Sequence, residues 1–382
     1  MTAVYLDNSA TTCVCRAAAD KAYAVMTEIY GNPSSLHSMG FRAEQEMTAA
    51  RAAIGKLIGA APERLIFTSG GTEANNLAIL GWAEAHAHGG RHIVTTAVEH
   101  SSVSAACDKL EKQGYEVTRL SPAPDGTITA EQIVDACRPD TGLVAVMLVN
   151  NETGARFPLE KSVAGIRRKS PQVHIHCDAV QAVGKIPVNA ERFGVDTLTA
   201  SAHKIHGPKG CGVLYLRKGA RILSRNLGGK QEGGMRGGTE AVPLIAAFGA
   251  AAACVPPFSQ QIARYGSLRQ RLIDGLRDRD GVVFHLPMGG VPYIIHLSVP
   301  GLRSETMLHF LAQRDIYVSS GSACAKGAKS PVLAAMGLPS GEIDSALRVS
   351  LCPENTEEDI DRFTQALCEA MDSLAGSVAR RV

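Results

Sequence analysis

From residue 64 onward, short runs of apolar and β-branched residues alternate with stretches whose apolar positions recur at helical spacing. The runs Arg64–Thr68, His92–Thr96, Glu116–Leu120, Leu143–Val149 and His174–Cys177 predict strands. Nearly continuous apolar strands separated by helices are the pattern of βαβ units around a mostly parallel sheet, so the large unit reads as α/β. Thr129, with Gln132 three positions later and an apolar series behind it, predicts a capped helix start. The alternation stops around Pro256–Pro257. A charged amphipathic stretch from Gln260 to Arg279 opens a second unit, followed by β-type runs at Val282–His285 and Tyr293–Val299 and a helical series from Ser304 to Arg314. Another β-type run, Ile316–Ser319, precedes a last amphipathic helix that opens at Thr356 and reaches about Leu374. This second unit reads as α+β.

Composition narrows the picture without redirecting it. With 45% hydrophobic and 20% charged residues in 382, the chain has the profile of a soluble globular protein, and its length predicts two domains. A net charge of +2 from scattered Lys and Arg predicts no nucleic-acid partner. No apolar run approaches the ~18 residues that span a bilayer, and no charged n-region with an apolar h-region opens the chain, so neither a membrane nor a secretory signal is expected. Ten irregularly spaced cysteines do not form a disulfide framework and point to a reducing, cytoplasmic setting. Cys13 and Cys15 form a C-x-C without a second pair at zinc-site spacing, so they read as ordinary thiols and no metal site is expected.

The sharpest chemical feature is Ser201-Ala202-His203-Lys204-Ile205-His206-Gly207-Pro208-Lys209-Gly210, which places a lysine in a loop between an alternating run from Val195 and the run Cys211–Leu216. Hydroxyl and imidazole donors beside a lysine suit a phosphate-bearing aldehyde held as a Schiff base; a surface lysine on a polar turn is the plain alternative. Thr68-Ser69-Gly70-Gly71-Thr72-Glu73-Ala74-Asn75 supplies a strand end, a glycine turn and a helix start, where unpaired amides bind anions, although an ordinary βα turn looks the same. It matches neither nucleotide-binding glycine pattern. Asp178 ends a strand where open α/β sheets place ligands, and would keep a pyridine nitrogen protonated or else cap the next helix. His100 and Asn151 also follow strands. The first could stack on a ring and move protons, the second could hydrogen-bond a ring hydroxyl, and a structural histidine and a plain Asn-Gly turn are the alternatives.

These residues, together with Tyr5-Leu6-Asp7-Asn8-Ser9-Ala10-Thr11-Thr12, Gly31-Asn32-Pro33-Ser34-Ser35, Val149-Asn150-Asn151-Glu152-Thr153-Gly154, Asp178-Ala179-Val180-Gln181, Met235-Arg236-Gly237-Gly238-Thr239-Glu240, Ser319-Ser320-Gly321-Ser322-Ala323-Cys324 and Arg348-Val349-Ser350-Leu351, run end to end in one order. In that order the chain resembles the NifS/IscS-like cysteine desulfurases, class V members of the fold-type I pyridoxal-5′-phosphate enzymes. The resemblance implies a large cofactor-binding α/β domain over 13–255 and a small α+β domain from 1–12 plus 256–382. It implies that Lys204 carries the cofactor and moves protons, that His100 stacks on the ring, and that Asp178 pairs with the pyridinium nitrogen. Asn151 and Gln181 would bond the ring hydroxyl. Gly71, Thr72, Ser201 and His203 would cup the phosphate, with Thr239 reaching across a homodimer. Asn32 and Arg348 would hold the carboxylate of L-cysteine, for which a guanidinium fork is well suited.

Cys324 decides between sulfur extraction and amino exchange, since a thiolate must attack the substrate's sulfur. Lys326 and Lys329 would raise its thiolate fraction. The resemblance implies release of alanine and passage of a persulfide to an acceptor, an iron–sulfur scaffold or a tRNA-thiolation enzyme. Ala325-Lys326-Gly327-Ala328-Lys329-Ser330-Pro331 departs from the usual scaffold-serving loop and is somewhat shorter, and Cys13-Val14-Cys15 departs where the family often has proline. The rival readings are a class V transaminase or selenocysteine lyase on the same cofactor, and a catalytically silent sulfur-relay or scaffold protein.

Overall fold

The computed structural model describes residues 3–320 and 329–378, the last four as backbone. Among them twelve strands form three sheets: β1 (Val4–Tyr5), β2 (Leu65–Thr68), β3 (His92–Thr96), β4 (Glu116–Leu120), β5 (Thr141–Met147), β6 (His174–Asp178), β7 (Thr197–Ser201), β8 (Gly212–Leu216), β9 (Val283–Phe284), β10 (Ile294–Ser298), β11 (Ile316–Tyr317) and β12 (Ala346–Ser350). The largest sheet has the order β2-β8-β7-β6-β5-β3-β4. It is parallel throughout except for β8, which runs antiparallel to β7 and β2. The mostly parallel α/β sheet read from the sequence is the one observed. Its interior strands, β6 and β7 among them, are buried at every position, polar residues included, while the edge strand β4 is half-exposed. Arg119 on β4 pairs with Asp108 and Glu111, placing charge on an edge that could otherwise recruit a further strand.

This topology places the site. Two antiparallel steps leave β2 running with β7, so the C-terminal ends of β2, β3, β5, β6 and β7 all open on one edge of the sheet, where α/β proteins bind ligands. Thr68 and Ser201 both stand opposite Gly212, one on each side. A Cβ on Gly212 would lie 2.6 Å from the carbonyl carbon of Gly70, so only glycine lets the Gly70 turn close over the strand.

The second unit is the antiparallel sheet β12-β10-β9, against which the helices Phe258–Leu276 and Glu357–Val378 pack, joined by Arg271 to Asp361 and Glu357. Residues from Val4 to Ser9 are built into this unit: β1 pairs in parallel with β11, and Asn8 Nδ2 and Ser9 N donate to the carbonyl and hydroxyl of Ser350. One apolar core runs through both units. The helices Arg16–Glu28, Ser38–Ile58 and Val242–Ala253 pack together outside the sheet, closely enough that a Cβ on Gly249 would meet Ala50 Cα at 2.5 Å.

Boundaries depart from the sequence reading where a side chain ends an element. The run Leu143–Val149 stops being strand at Met147, because Asn150 Oδ1 accepts from the Glu152 and Thr153 amides and turns the chain. Asp178 is the last residue of β6 rather than the first beyond it. The Thr129–Gln132 capping box forms as read. All nine described cysteines are free, and among the described residues no single helix is long and apolar enough to cross a membrane.

Candidate active site

The sheet edge holds a cavity of about 420 Å³ lined by Gly71, Thr72, Ser201, His203 and Lys209, with Ala10 and Thr11 closing it from the N-terminal segment. Gly71 and Thr72 begin the helix Gly71–Ala85, whose first amides have no partners within the helix and point a positive dipole end at the cavity. Gly71 fits where a Cβ would stand 3.0 Å from Val180 Cγ2. Ser201 Oγ is buried and lacks a hydrogen-bond partner among the described residues. A buried hydroxyl without a partner costs stability unless a ligand satisfies it, and here it faces helix amides and Lys209. Burial and the neighbouring Lys204 push the His203 imidazole down to about 4, so near neutrality it is an uncharged partner, 3.2 Å from Thr11 Oγ1. The donor set, which includes Gly71, Thr72, Ser201 and His203, fits a phosphate dianion.

Lys204 closes a single helical turn, Ala202–Lys204, after β7. Its Nζ donates to the carbonyls of Ser9 and, at 2.7 Å, Ala10. The residues that hold the amine therefore come from the segment paired with the small sheet, through backbone atoms that no side-chain pattern announces. Lys185, buried beneath, donates to Gln181 Oε1 at 3.1 Å, and burial together with the Lys204 charge lowers its amine to about 7. Gln181 Nε2 is bound to the Ser9 carbonyl at 2.8 Å, so both ends of this amide are engaged within the chain.

Asp178 sits at the centre of a buried network. Oδ1 accepts from the Val180 amide at 3.0 Å and Oδ2 from Asn75 Nδ2 at 2.7 Å. Asn75 also donates to Ser102 Oγ at 2.9 Å, and its Oδ1 lies 3.0 Å from His176 Nε2. Desolvation holds His176 down at about 3, so it is neutral. Its Nε2–H donates to Asn75, which aims the Asn75 nitrogen at Asp178. Ser102 Oγ lies 2.8 Å from His100 Nδ1, and this nitrogen accepts from the Ser102 amide, leaving the His100 proton on Nε2. His100 and Asp178 are thus joined through Ser102 and Asn75. Under them Glu99 is buried, pushed up to about 8 by desolvation, and accepts from Thr96 Oγ1 and the Met147 amide.

Arg348, on β12, is 2% exposed; Nη2 meets Asp7 Oδ1 at 2.7 Å and Nη1 the Asn151 carbonyl at 2.8 Å. Its Nε is buried without a partner among the described residues. Cys324 lies outside the described residues, but both flanks of its segment are fixed at this arginine. Ser319 exchanges backbone hydrogen bonds with Arg348, and Ser330 Oγ donates to Glu152 Oε2 at 2.6 Å beside Asn151. Asn32 and Thr239 stand apart from the cavity on the surface, Asn32 accepting from the Ser34 amide.

The sequence reading missed Asn75, Ser102 and His176 as contributors. Asn75 carried a signal, as a polar residue within the apolar series Ala74–Ala83, and so did the alternating His174 and His176 of a buried strand. Lys209 stood in the quoted loop without a role.

The sequence profile described as "Aminotransferase class-V" matches residues 4–363. A protein of Trichormus variabilis named "Cysteine desulfurase 2" is 40% identical over 98% of this chain and 94% of its own length. "Cysteine desulfurase IscS" of Aeromonas hydrophila is 42% identical over 97% of this chain and 93% of its own. Among solved structures, a "NIFS-LIKE PROTEIN" superposes with a TM-score of 0.92 at 35% identity, covering 97% of this chain and all of that one. One described as "SspA in complex with cysteine" superposes at 0.81 with 31% identity, covering 93% of this chain and all of that one.

Proposed function

Because the chain belongs to the aminotransferase class-V family, we infer that it is a pyridoxal-phosphate-dependent cysteine desulfurase, converting L-cysteine to L-alanine and passing on the sulfur. The observation that carries this reading is the convergence of an anion cradle, a buried aspartate and a lysine on one sheet edge.

Bound there, the cofactor supplies an electron-withdrawing pyridine ring that makes the substrate's α-carbon acidic and its sulfur removable. The chain's residues do the rest. Gly71 and Thr72 amides, Ser201, His203 and Lys209 take the phosphate. Asp178, already fixed by Asn75 and Val180, would accept a hydrogen bond from the pyridinium N–H and keep it protonated, with Asn151 toward the ring hydroxyl and Gln181 exchanging one of its present partners for it. Lys204 anchors the cofactor and moves a proton at the α-carbon, the carbonyls of Ser9 and Ala10 setting its direction. His100 covers the ring with Nε2–H available as a donor. Arg348 would receive the substrate carboxylate by exchanging it for Asp7, and Asn32, which stands apart from this cavity within the chain, would join it only across the proposed dimer. Cys324 attacks the substrate's sulfur as thiolate. Its sulfur becomes the inner atom of a persulfide, the C–S electron pair stays with the carbon skeleton, and a proton completes alanine.

The working form is a homodimer. Tyr23, Met26, Tyr30, Leu36 and Phe41 are exposed large apolar residues in one stretch of the chain on either side of Asn32, surface of the kind a partner covers. The second copy would bring Thr239 to the phosphate. Residues 13–255 form the cofactor domain, and 1–12 with 256–382 the domain that carries Cys324 and Arg348. The sulfur acceptor is a protein of iron–sulfur assembly or tRNA thiolation, and the reaction takes place in the cytoplasm.

Incubating purified protein with L-cysteine tests the reading. Alanine and reducible sulfur form in equal amounts, and Cys324→Ser keeps the visible absorbance of the bound cofactor while losing sulfide release. Amino transfer to pyruvate without persulfide, or no alanine at all, would replace it with a transaminase or a silent sulfur relay.

A further inference from the structure

A second cavity, of about 110 Å³, lies against Lys204 and shares no lining residue with the phosphate cradle. Its wall includes Cys15, Cys254, Cys352, His206, Glu354 and Tyr265. Three of these present donor atoms to one point: an imidazole nitrogen of His206, Cys352 Sγ and a Glu354 carboxylate oxygen all lie within 4.8 Å of one another. We propose that His206, Cys352 and Glu354 form a binding site for a zinc-class divalent cation, with a fourth position open to this cavity.

The histidine carries the argument beyond proximity. His206 Nδ1 is 3.0 Å from the carbonyl oxygen of Cys13, which can only accept, so the proton is on Nδ1 and the Nε2 lone pair is free. Nε2 is the atom turned toward Glu354, 3.6 Å from Oε2. A backbone carbonyl holding the far ring nitrogen is the arrangement that orients metal-ligating imidazoles. His206 also sits at φ 64°, a left-handed conformation costly for a side-chain-bearing residue. It is kept there by Thr12 Oγ1, which accepts from its amide at 2.9 Å, and by its own carbonyl, which accepts from Cys15 N at 2.9 Å. Strain at a non-glycine residue is retained where the side chain must point in one direction.

Thiolate, imidazole and carboxylate together suit zinc rather than magnesium or calcium, and three protein ligands with one open position is its tetrahedral pattern. Ligand atoms on one zinc stand roughly 3.3–3.8 Å apart, given bonds of about 2.0–2.3 Å. Glu354, 67% exposed, is free to swing inward by the distance required. Binding exchanges the Cys352 thiol proton for the metal and releases it to solvent. The ion would tie the loop two residues beyond Lys204 to the chain leaving β12, four residues beyond Arg348, so its occupancy would couple the lysine and arginine of the two units. No spacing in the sequence announces this, because the fold brings residue 206 to residues 352 and 354.

The test uses cofactor-loaded protein in a Cys324→Ala background, with Zn²⁺ titrated against a chromophoric chelator and X-ray absorption read at the zinc edge. One equivalent per chain is expected, with a sulfur scatterer at about 2.3 Å. Cys352→Ala and His206→Asn, the latter a residue at ease in the left-handed region, each weaken binding by about tenfold or more, and Cys13→Ala does not. Visible absorbance of the cofactor reports that each variant is folded. The absence of a stoichiometric site in the parent, a shell without sulfur, or affinity unchanged in both ligand variants would overturn the proposal and leave the desulfurase reading untouched.

Discussion

Asp178 takes two hydrogen bonds inside a buried network, and neither donor is independent of its neighbours. Asn75 serves Asp178, Ser102 and His176 at once, so removing it strands a buried carboxylate oxygen and a buried imidazole N–H together. Leaving such groups unpaired costs ~1–3 kcal/mol. Asn75→Ala is therefore expected to lower the unfolding free energy by that amount and to weaken cofactor binding, both read on the same preparation by urea titration with and without added pyridoxal phosphate. A cofactor affinity equal to that of the parent would detach Asn75 from the site. At this scale the sequence was informative about groups that do chemistry and silent about groups that hold them. Lys204, Asp178 and His100 stand out by type and position, whereas the carbonyls of Ser9 and Ala10 belong to backbone, and the orientation of Asn75 depends on a histidine from another strand.

The decisive element is the turn from β2 into the helix Gly71–Ala85. Its function depends on close approach: Gly212 admits the Gly70 turn, and Gly71 leaves room before Val180 and Ser201. Gly71→Val would put branched carbons into the cradle, and overpacking of this kind costs ~1–3 kcal/mol, here directed against the ligand. The expected result is a pyridoxal phosphate affinity weaker by about tenfold or more, together with a lower unfolding temperature of the cofactor-free protein as Val180 gives way, measured by equilibrium dialysis and calorimetry. The pattern located the strands well because short β-branched and apolar runs alternate with helical series, even where buried strands such as β6 carry polar residues. It was less accurate at their ends, since the end of β5 is set by Asn150 folding back on the Glu152 and Thr153 amides, a side-chain event rather than a change in hydropathy.

For the molecule as a whole, the N-terminal segment links the two units, pairing with β11 and Ser350 on one side and holding Lys204 and Gln181 on the other. Arg348 and the flanks of the Cys324 segment are fixed from the small unit and face the edge of the large one. In the proposed dimer, a second copy would add the remaining part. Replacing Tyr30 and Phe41 by Asp on the exposed apolar surface is expected to halve the mass seen in sedimentation and to remove most of the desulfurase activity, because Thr239 then has no cradle to complete. A wild-type protein that is monomeric and fully active would contradict this. Fold class was legible from the alternation of strand and helix patterns, but the convergence of residues 9, 204 and 348 was not, since it depends on chain crossings that local patterning does not encode.

The account's central claim is that one particular amine holds the cofactor, although Lys185 lies buried beneath it and Lys209 lines the cradle. Reducing the pyridoxal-phosphate-loaded protein with borohydride, digesting it and mapping the phosphopyridoxyl group by mass spectrometry decides among the three. The expected result is one label per chain on Lys204, lost in Lys204→Ala; a label on Lys185 or Lys209, or none, would contradict the account.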